Sequence, residues 1–460
     1  MPAYNIVSIA QVGTVTTAHA HTDIDDAVAV GLDGFALNIG DPMQSFVRDT
    51  MGSMFDYALS KDFKLFISMD LSAAGEAEKR LVDYRSLFRD FLGHGAWYLG
   101  PNGFPFVSTF SDGGLTNDAW IEWNNSLASE IYFVPNFDGT LGYYENNPGW
   151  WQYWGPVVDG LFSWESSWPL RVGKGGMFPG DVSPDVKVMR GTAEHGKSYM
   201  IGLSPLQYKN AYNTNVYRAG ANNLPERMRN ILRMSPQPDY VQAITWVSSY
   251  VLGAVTFVAY ANVGLQNDGP ESHYIGNLWP EQNTDAEPTL YATQASAPHN
   301  PWRDLIQSFV AAYRKGGDET SMAPRSGLAT GCMWYKTILQ STTCSNAKKP
   351  DGYDTAEDAV YFAVMVEKGT SHWGMQLRVT NNGVESGSHQ IAVDGLNYGS
   401  ARIVKAGSVE MNLLSSNGTV ILTASGGECI TNDCPKGIYD MNYQVIALAE
   451  KKCANVITGI

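Results

Sequence analysis

Positive charge is what this chain has least of. Its 31 Lys and Arg stand against 46 Asp and Glu, a formal net charge of −15. A phosphate backbone needs clustered cations, so nucleic acid is excluded as a partner. Cysteine is scarce as well, and all five lie in the last third: Cys332, Cys344, Cys429, Cys434 and Cys453. They make no two CxxC pairs and no histidine follows at finger spacing, which argues against zinc. With 8 scattered His and no HExxH, neither a metal nor any other cofactor is expected. No GxSxG elbow supports a serine triad. No Gly-rich phosphate fingerprint follows the first strand, and "VGKGGMFPGD" lacks the GK[ST] ending of a P-loop. The opening "MPAYNIVSIAQ" has neither a basic region nor a sustained apolar core, so it is no secretory signal. Either the chain is cytosolic or its true N-terminus is missing.

What is present points to a large, aromatic-rich protein. At 460 residues it has room for two domains, and 44% apolar content supports an ordinary core. Aromatics reach 12%, with 13 Trp and 24 Tyr, and such rings stack on the apolar faces of sugars. The acidic balance fits an extracellular protein acting on a neutral polymer. Two local disulfides, Cys332–Cys344 and Cys429–Cys434, are the simplest pairing, with Cys453 left over; five free thiols are the alternative. Sequons at Asn124 and Asn417 are compatible with secretion.

Through about residue 315, short apolar runs alternate with helix-like stretches such as "FVRDTMGSMFDYALSK" and "AEKRLVDYRSLFRDFLG". The runs are "GLDGFALNIG", "FKLFISMDLS", "FPFVSTFSDG", "EIYFVPNFDG", "VVDGLFSWES", "KSYMIGLSPL" and "YVQAITW". Such a pattern predicts a parallel sheet covered on both faces, an α/β fold. The runs end in polar residues: Asn38, Asp70, Asp112, Asn136, Glu165, then a cluster at Asp268. A (β/α)8 TIM barrel gathers its active site at those strand ends. Seven runs are one too few, so the first strand is expected to be missing; a doubly wound sheet is the alternative. The barrel is assigned to residues 1–320, across the linker "RKGGDETSMAPRSG". From there to residue 460, alternating segments between Gly and Asn turns predict an all-β sandwich, an accessory domain.

Carboxylates at a barrel mouth among Trp and Tyr suggest glycoside hydrolysis, which needs one protonated carboxyl and one carboxylate acting as base or nucleophile. In "NDGPESHYIG", Asp268 and Glu271 lie three apart on a loop with Gly269 and Pro270, so both can face one cleft. A solvated acidic turn is the plainer reading. Asp70 ends an apolar strand, where a helix N-cap is the plainer reading. Trp164 and Glu165 would give a sugar a stacking face and a hydrogen bond; rim packing would also explain them. Asn38, Asn136, Trp246, His273 and Tyr274 complete the candidate substrate contacts.

The quoted runs, with "FVPNF", "DGLFSWESSWP" and "NDGPESHYIG", resemble glycoside hydrolase family 71, the fungal α-1,3-glucanases or mutanases, in order from about residue 12 to 315. The resemblance implies a (β/α)8 barrel with an accessory β-sandwich, and endo-acting, inverting hydrolysis of α-1,3-glucan. It implies Asp268 and Glu271 as the catalytic carboxylates, with Glu271 taken as acid and Asp268 as base, and Asp70 as an essential cleft acid. A secreted or wall-bound monomer, with α-1,3-glucan as its partner and no membrane, is expected. A catalytically inactive glucan-binding or wall-structural protein is the rival.

Two departures from the family stand out. Residues 1–11 do not match its opening, and Val247–Gln266 separates "ITW" from the catalytic loop. That uncharged segment has the length of a membrane span, about 20 residues. A span there would separate groups that must converge. Val-Ser can be encoded GTAAGT, Ala-Asn can contain CTAAC, and Leu-Gln can end in CAG, the marks of a short fungal intron. Val247–Gln266 is therefore read as translated intron and residues 1–11 as a non-native start, whose lost exon held a signal peptide. A helical insertion outside the barrel is the remaining alternative.

Overall fold

The structure is a computed structural model, and it describes residues 5–11, 15–71, 77–137, 149–169, 177–211, 213–246, 271–282, 286–369 and 374–450. Val247–Gln266, Asp268 and Cys453 lie outside the described residues.

The apolar runs form parallel strands for the reason their composition suggests. The strands β2 (Gly34–Ile39), β3 (Lys64–Asp70), β6 (Gly160–Ser163), β7 (Ser198–Leu203) and β10 (Tyr240–Ala243) are buried along nearly their whole length. A strand covered on both faces has no solvent side on which polar residues could alternate. With β1 (Asn5–Gln11), β4 (Phe106–Phe110) and β5 (Tyr132–Phe133) they make an 8-stranded sheet in the order β5-β4-β3-β2-β1-β10-β7-β6. The two end strands are themselves linked: Asp159 N–H donates to Phe133 O at 2.7 Å and Phe162 N–H to Pro135 O at 2.9 Å.

The expected absence of a first strand is corrected here. Asn5–Gln11 pairs in parallel with both β10 and β2, Ser8 opposite Ala243 and Gln11 opposite Asn38. Both neighbours carry backbone groups that a buried sheet has to satisfy, and this segment bonds to them.

Helices connect the strands. Thr17–Val30 is capped by Thr16, whose hydroxyl accepts from His19 N–H, and ends at Gly31, whose φ of 88° a side chain would resist. The two helix-like stretches of the sequence become Ser45–Ser60 and Ala77–Phe91. Asp70 ends β3 and Leu71 after it is not helical, so Asp70 is not a helix cap. Between β7 and β10 a hairpin, β8 (Gln207–Ala211) and β9 (Thr214–Arg218), forms its own antiparallel pair.

The C-terminal third forms two 4-stranded antiparallel sheets. One holds β11 (Ala329–Lys336), β12 (Ala359–Val366), β15 (Gly395–Arg402) and β18 (Tyr443–Ala447). The other holds β13 (Gln376–Asn381), β14 (Val384–Gln390), β16 (Val409–Leu414) and β17 (Val420–Ala424). Met333, Phe362 and Val364 of the first meet Leu377, Met411 and Leu413 of the second in one core. The first sheet also packs on the parallel-sheet half: Trp334 lies 6.0 Å from Trp302, edge to face, and Tyr217 OH is 3.1 Å from Tyr443 OH.

The local disulfide pairing is overturned. Cys344 is bridged to Cys434, with Cα atoms 5.3 Å apart, while Cys332 and Cys429 are free. Cys332 is enclosed within β11, whereas the loops carrying Cys344 and Cys434 converge on the carbonyl of Ile438. Bridging follows spatial approach of the Cα atoms, not nearness in sequence.

Candidate active site

Parallel strands place all their C-terminal ends at one end of the sheet, and the polar residues of the sequence runs collect there. Asn38 at the end of β2 donates from Nδ2 to Asp70 Oδ2 at the end of β3, 3.3 Å away, and both are buried. Asn136 follows β5, and its Oδ1 lies 3.5 Å from Trp164 N after β6. Trp164 is buried edge-on against Phe110 and Trp168, with ring centroids 5.0 and 6.1 Å away.

A second group centres on Glu271. The backbone of 273–276 runs beside the end of β10: Thr245 N–H donates to His273 O at 3.2 Å, Ile275 N–H to Thr245 O at 2.9 Å and Gly276 N–H to Trp246 O at 2.6 Å. Gly276 is required there, since an added Cβ would meet Trp246 O at 2.2 Å. "ITW" and "ESHYIG" are thus adjacent in space. Ser272 takes a φ of 61°, uncommon for a residue with a side chain, between the two polar groups it separates.

Glu271 is enclosed by donors. Gln207 Nε2 donates to its Oε2 at 2.5 Å, Lys209 Nζ lies 3.4 Å from Oε1, and His273 Nε2 lies 3.5 Å from Oε2. His273 is held from its other side, Nδ1 being 2.8 Å from Thr245 Oγ1. The network continues outward: Arg218 Nη1 donates to Gln207 Oε1 at 3.3 Å and to Glu165 Oε2 at 2.8 Å, and its guanidinium lies 5.2 Å from the Trp168 ring centroid. Burial alone would raise the Glu271 pKa. The Lys209 charge, with His273 and Gln207, outweighs it and lowers the pKa to about 2. A cavity of about 630 Å³ opens beside this carboxylate, with Gln207, Lys209 and Asn210 on one wall.

The sequence of the chain matches the profile of glycosyl hydrolase family 71 over residues 4–251 and 259–457. The chain belongs to glycosyl hydrolase family 71. By that membership it is a glycoside hydrolase. The match takes in Asn5–Gln11, and it is interrupted at 252–258, inside Val247–Gln266. A mutanase of Penicillium rubens is 27% identical over 75% of this chain and 68% of its own length. A glucan endo-1,3-alpha-glucosidase of Schizosaccharomyces pombe is 29% identical over 76% of this chain and 74% of its own. An ascus wall endo-1,3-alpha-glucanase of the same yeast is 24% identical over 80% and 78%. Among the described residues, no helix is long and apolar enough to cross a membrane.

In this family 71 hydrolase the candidate residues divide. Asn38 and Asp70 form one pair, Glu165, Glu271 and His273 share one network, and Asn136 and Trp164 meet where the two end strands of the sheet are linked. Trp246 and Tyr274 are instead buried, each against other partners. Trp246 is fully buried under Arg303 and donates to Asp23 Oδ1 at 3.3 Å. Tyr274 stacks on His299, with centroids 4.0 Å apart, and donates to Ala297 O at 2.6 Å. Gln207, Lys209 and Arg218 escaped the sequence reading. Their one signal is the alternation in "QYK", which puts Gln207 and Lys209 on the same face of a strand.

Proposed function

We propose that the chain hydrolyses α-1,3-glucosidic bonds within α-1,3-glucan, cutting internally and with inversion, through a general acid and a general base. The observation that carries this reading is a buried Glu271 held ionised at the wall of a roomy polar cavity. Family membership and the names of the relatives support the linkage.

A carboxylate with its pKa lowered to about 2 holds no proton to donate at neutral pH. Ionised beside Lys209, with its second oxygen facing Gln207 and His273, Glu271 is assigned as the base, the reverse of the role expected from the resemblance. Water attacks the anomeric carbon, its proton passes to Glu271, and Asp268 as acid protonates the departing glycosidic oxygen. Asp70, fixed by Asn38, serves as a cleft acid.

The linked parallel sheet supports a (β/α)8 barrel over residues 1–320, and the paired antiparallel sheets support a β-sandwich over 321–460. The protein is proposed to act as a secreted or wall-bound monomer. Val247–Gln266 is proposed to be translated intron, although the family match breaks only at 252–258 within it; active enzyme translated from a transcript retaining those codons would refute this.

Release of reducing sugar from insoluble α-1,3-glucan tests the activity, with Glu271→Gln and Asp268→Asn as controls. Release that stops in both variants is expected. No release by the spliced protein would overturn the reading in favour of an inactive glucan-binding protein.

A further inference from the structure

The cavity beside Glu271 has a second wall, and it comes from the C-terminal third. Asn346, Lys348 and Asp351 line it together with Gly437 and Ile438. This wall is fastened to the hairpin that carries Gln207 and Lys209. Tyr217 N–H donates to Asp351 O at 2.8 Å, Asp351 N–H to Asn215 O at 2.9 Å, and Asn215 Nδ2 to Lys348 O at 2.8 Å. The Cys344–Cys434 bridge joins the two loops from which the wall is made. Behind them Tyr208 OH donates to Tyr439 O at 2.7 Å.

The chemistry of the lining restricts what fits. The cavity surface mixes Lys209 and Lys348 with Glu271, Glu287 and Asp351, so a polyanion meets more acids than bases. Amide side chains, with a few small or aliphatic ones, supply the rest, and among the described residues no aromatic ring lines it. Amides, an ammonium and a carboxylate side by side suit vicinal hydroxyls, each of which donates and accepts. A volume of about 630 Å³ exceeds what one sugar ring needs.

We infer that Asn346, Lys348 and Asp351 form a glucan subsite continuous with Glu271, so that the C-terminal third binds the same chain that the carboxylates cut and sets the enzyme's preference for longer substrates. The inference rests on the α-1,3-glucanase reading. It differs from a detached binding module, because this wall shares a cavity with the proposed base.

The test compares the full-length protein with a variant carrying Asn346→Gly and Lys348→Ala. Both side chains are exposed, and glycine suits the φ of 66° at position 346, so the fold is kept. Each is assayed on a short and a long α-1,3-linked gluco-oligosaccharide. The ratio of kcat/KM, long over short, is expected to fall about 5-fold or more, the loss of one or two hydrogen bonds. An unchanged ratio overturns the subsite. If the wild-type protein cleaves neither substrate, the glucanase reading itself fails. Calorimetric binding of the long oligosaccharide then decides the subsite alone: affinity weakened about 5-fold in the variant supports it, and equal affinity overturns it.

Discussion

Two buried carboxylates in this molecule face a cation from a neighbouring element, and they behave oppositely. Glu271 lies 3.4 Å from Lys209, and its pKa is lowered to about 2. Asp185 lies 2.9 Å from Arg227, yet burial outweighs that charge and its pKa is raised. The oxygens of Asp185 are taken up by Ser166 at 2.6 Å, Tyr199 at 2.7 Å and Arg227, and both charged side chains are 0% exposed. Arg227 in turn donates to the carbonyls of Gly202 and Asp181, tying helix Asn223–Leu232 to β7 and to the start of helix Ser183–Glu194. Glu271 instead borders a cavity. An ion pair and burial are common to both, so neither marks a reaction centre. Access for a ligand separates a working carboxylate from a strut.

Substitution separates the two carboxylates most visibly. Glu271→Gln keeps the shape but removes the base, and activity is expected to fall roughly 10²–10⁴-fold in a reducing-sugar assay on folded protein. Asp185→Asn should act on the other axis. It leaves Arg227 buried without a counter-charge, costing about 3–5 kcal/mol in denaturant unfolding, while kcat of the folded fraction stays near wild type. A loss of kcat in Asp185→Asn as large as in Glu271→Gln would erase the distinction.

Smaller effects sharpen it. Removing the Cys344–Cys434 bridge with a double Ala substitution should cost about 2–4 kcal/mol, since it closes a long loop, the two residues being 90 apart in sequence. Lys209→Met should move the acid limb of the kcat profile upward by about one pH unit. The sign follows from the charge: without the ammonium a proton binds Glu271 at higher pH, so the base is lost sooner on acidification. The wild-type pair also contributes to stability. Because the folded pKa of Glu271 is below its ordinary 4.5, that contribution is complete above pH 4.5 and is lost as the pH falls toward about 2. An acid limb that does not move in Lys209→Met would remove Lys209 from the control of Glu271.

Much of the parallel sheet was legible because a doubly covered strand has to be apolar throughout, and "FALNI" or "LFISM" reads so directly. Asn5–Gln11 was set aside because it lies apart from the family-like motifs, although its backbone completes the sheet. Glu271 and His273 were visible as a dense polar cluster. Lys209 was not, because its meaning depends on a hairpin folding onto a segment about sixty residues later. Trp246 and Tyr274 stand apart from that cluster for a related reason. They adjoin reactive residues in sequence, but packing turned them toward Asp23 and His299.

Local chemistry thus determined which segments are strands and helices, and which residues could react. Hydrophobic period and capping act over a few residues and are written in the chain itself. The Cys344–Cys434 pairing, the low pKa of Glu271 and the two-sided cavity were decided only when distant segments met. Electrostatic shifts and covalent bridges depend on separations of a few ångströms, and those exist only in the folded molecule.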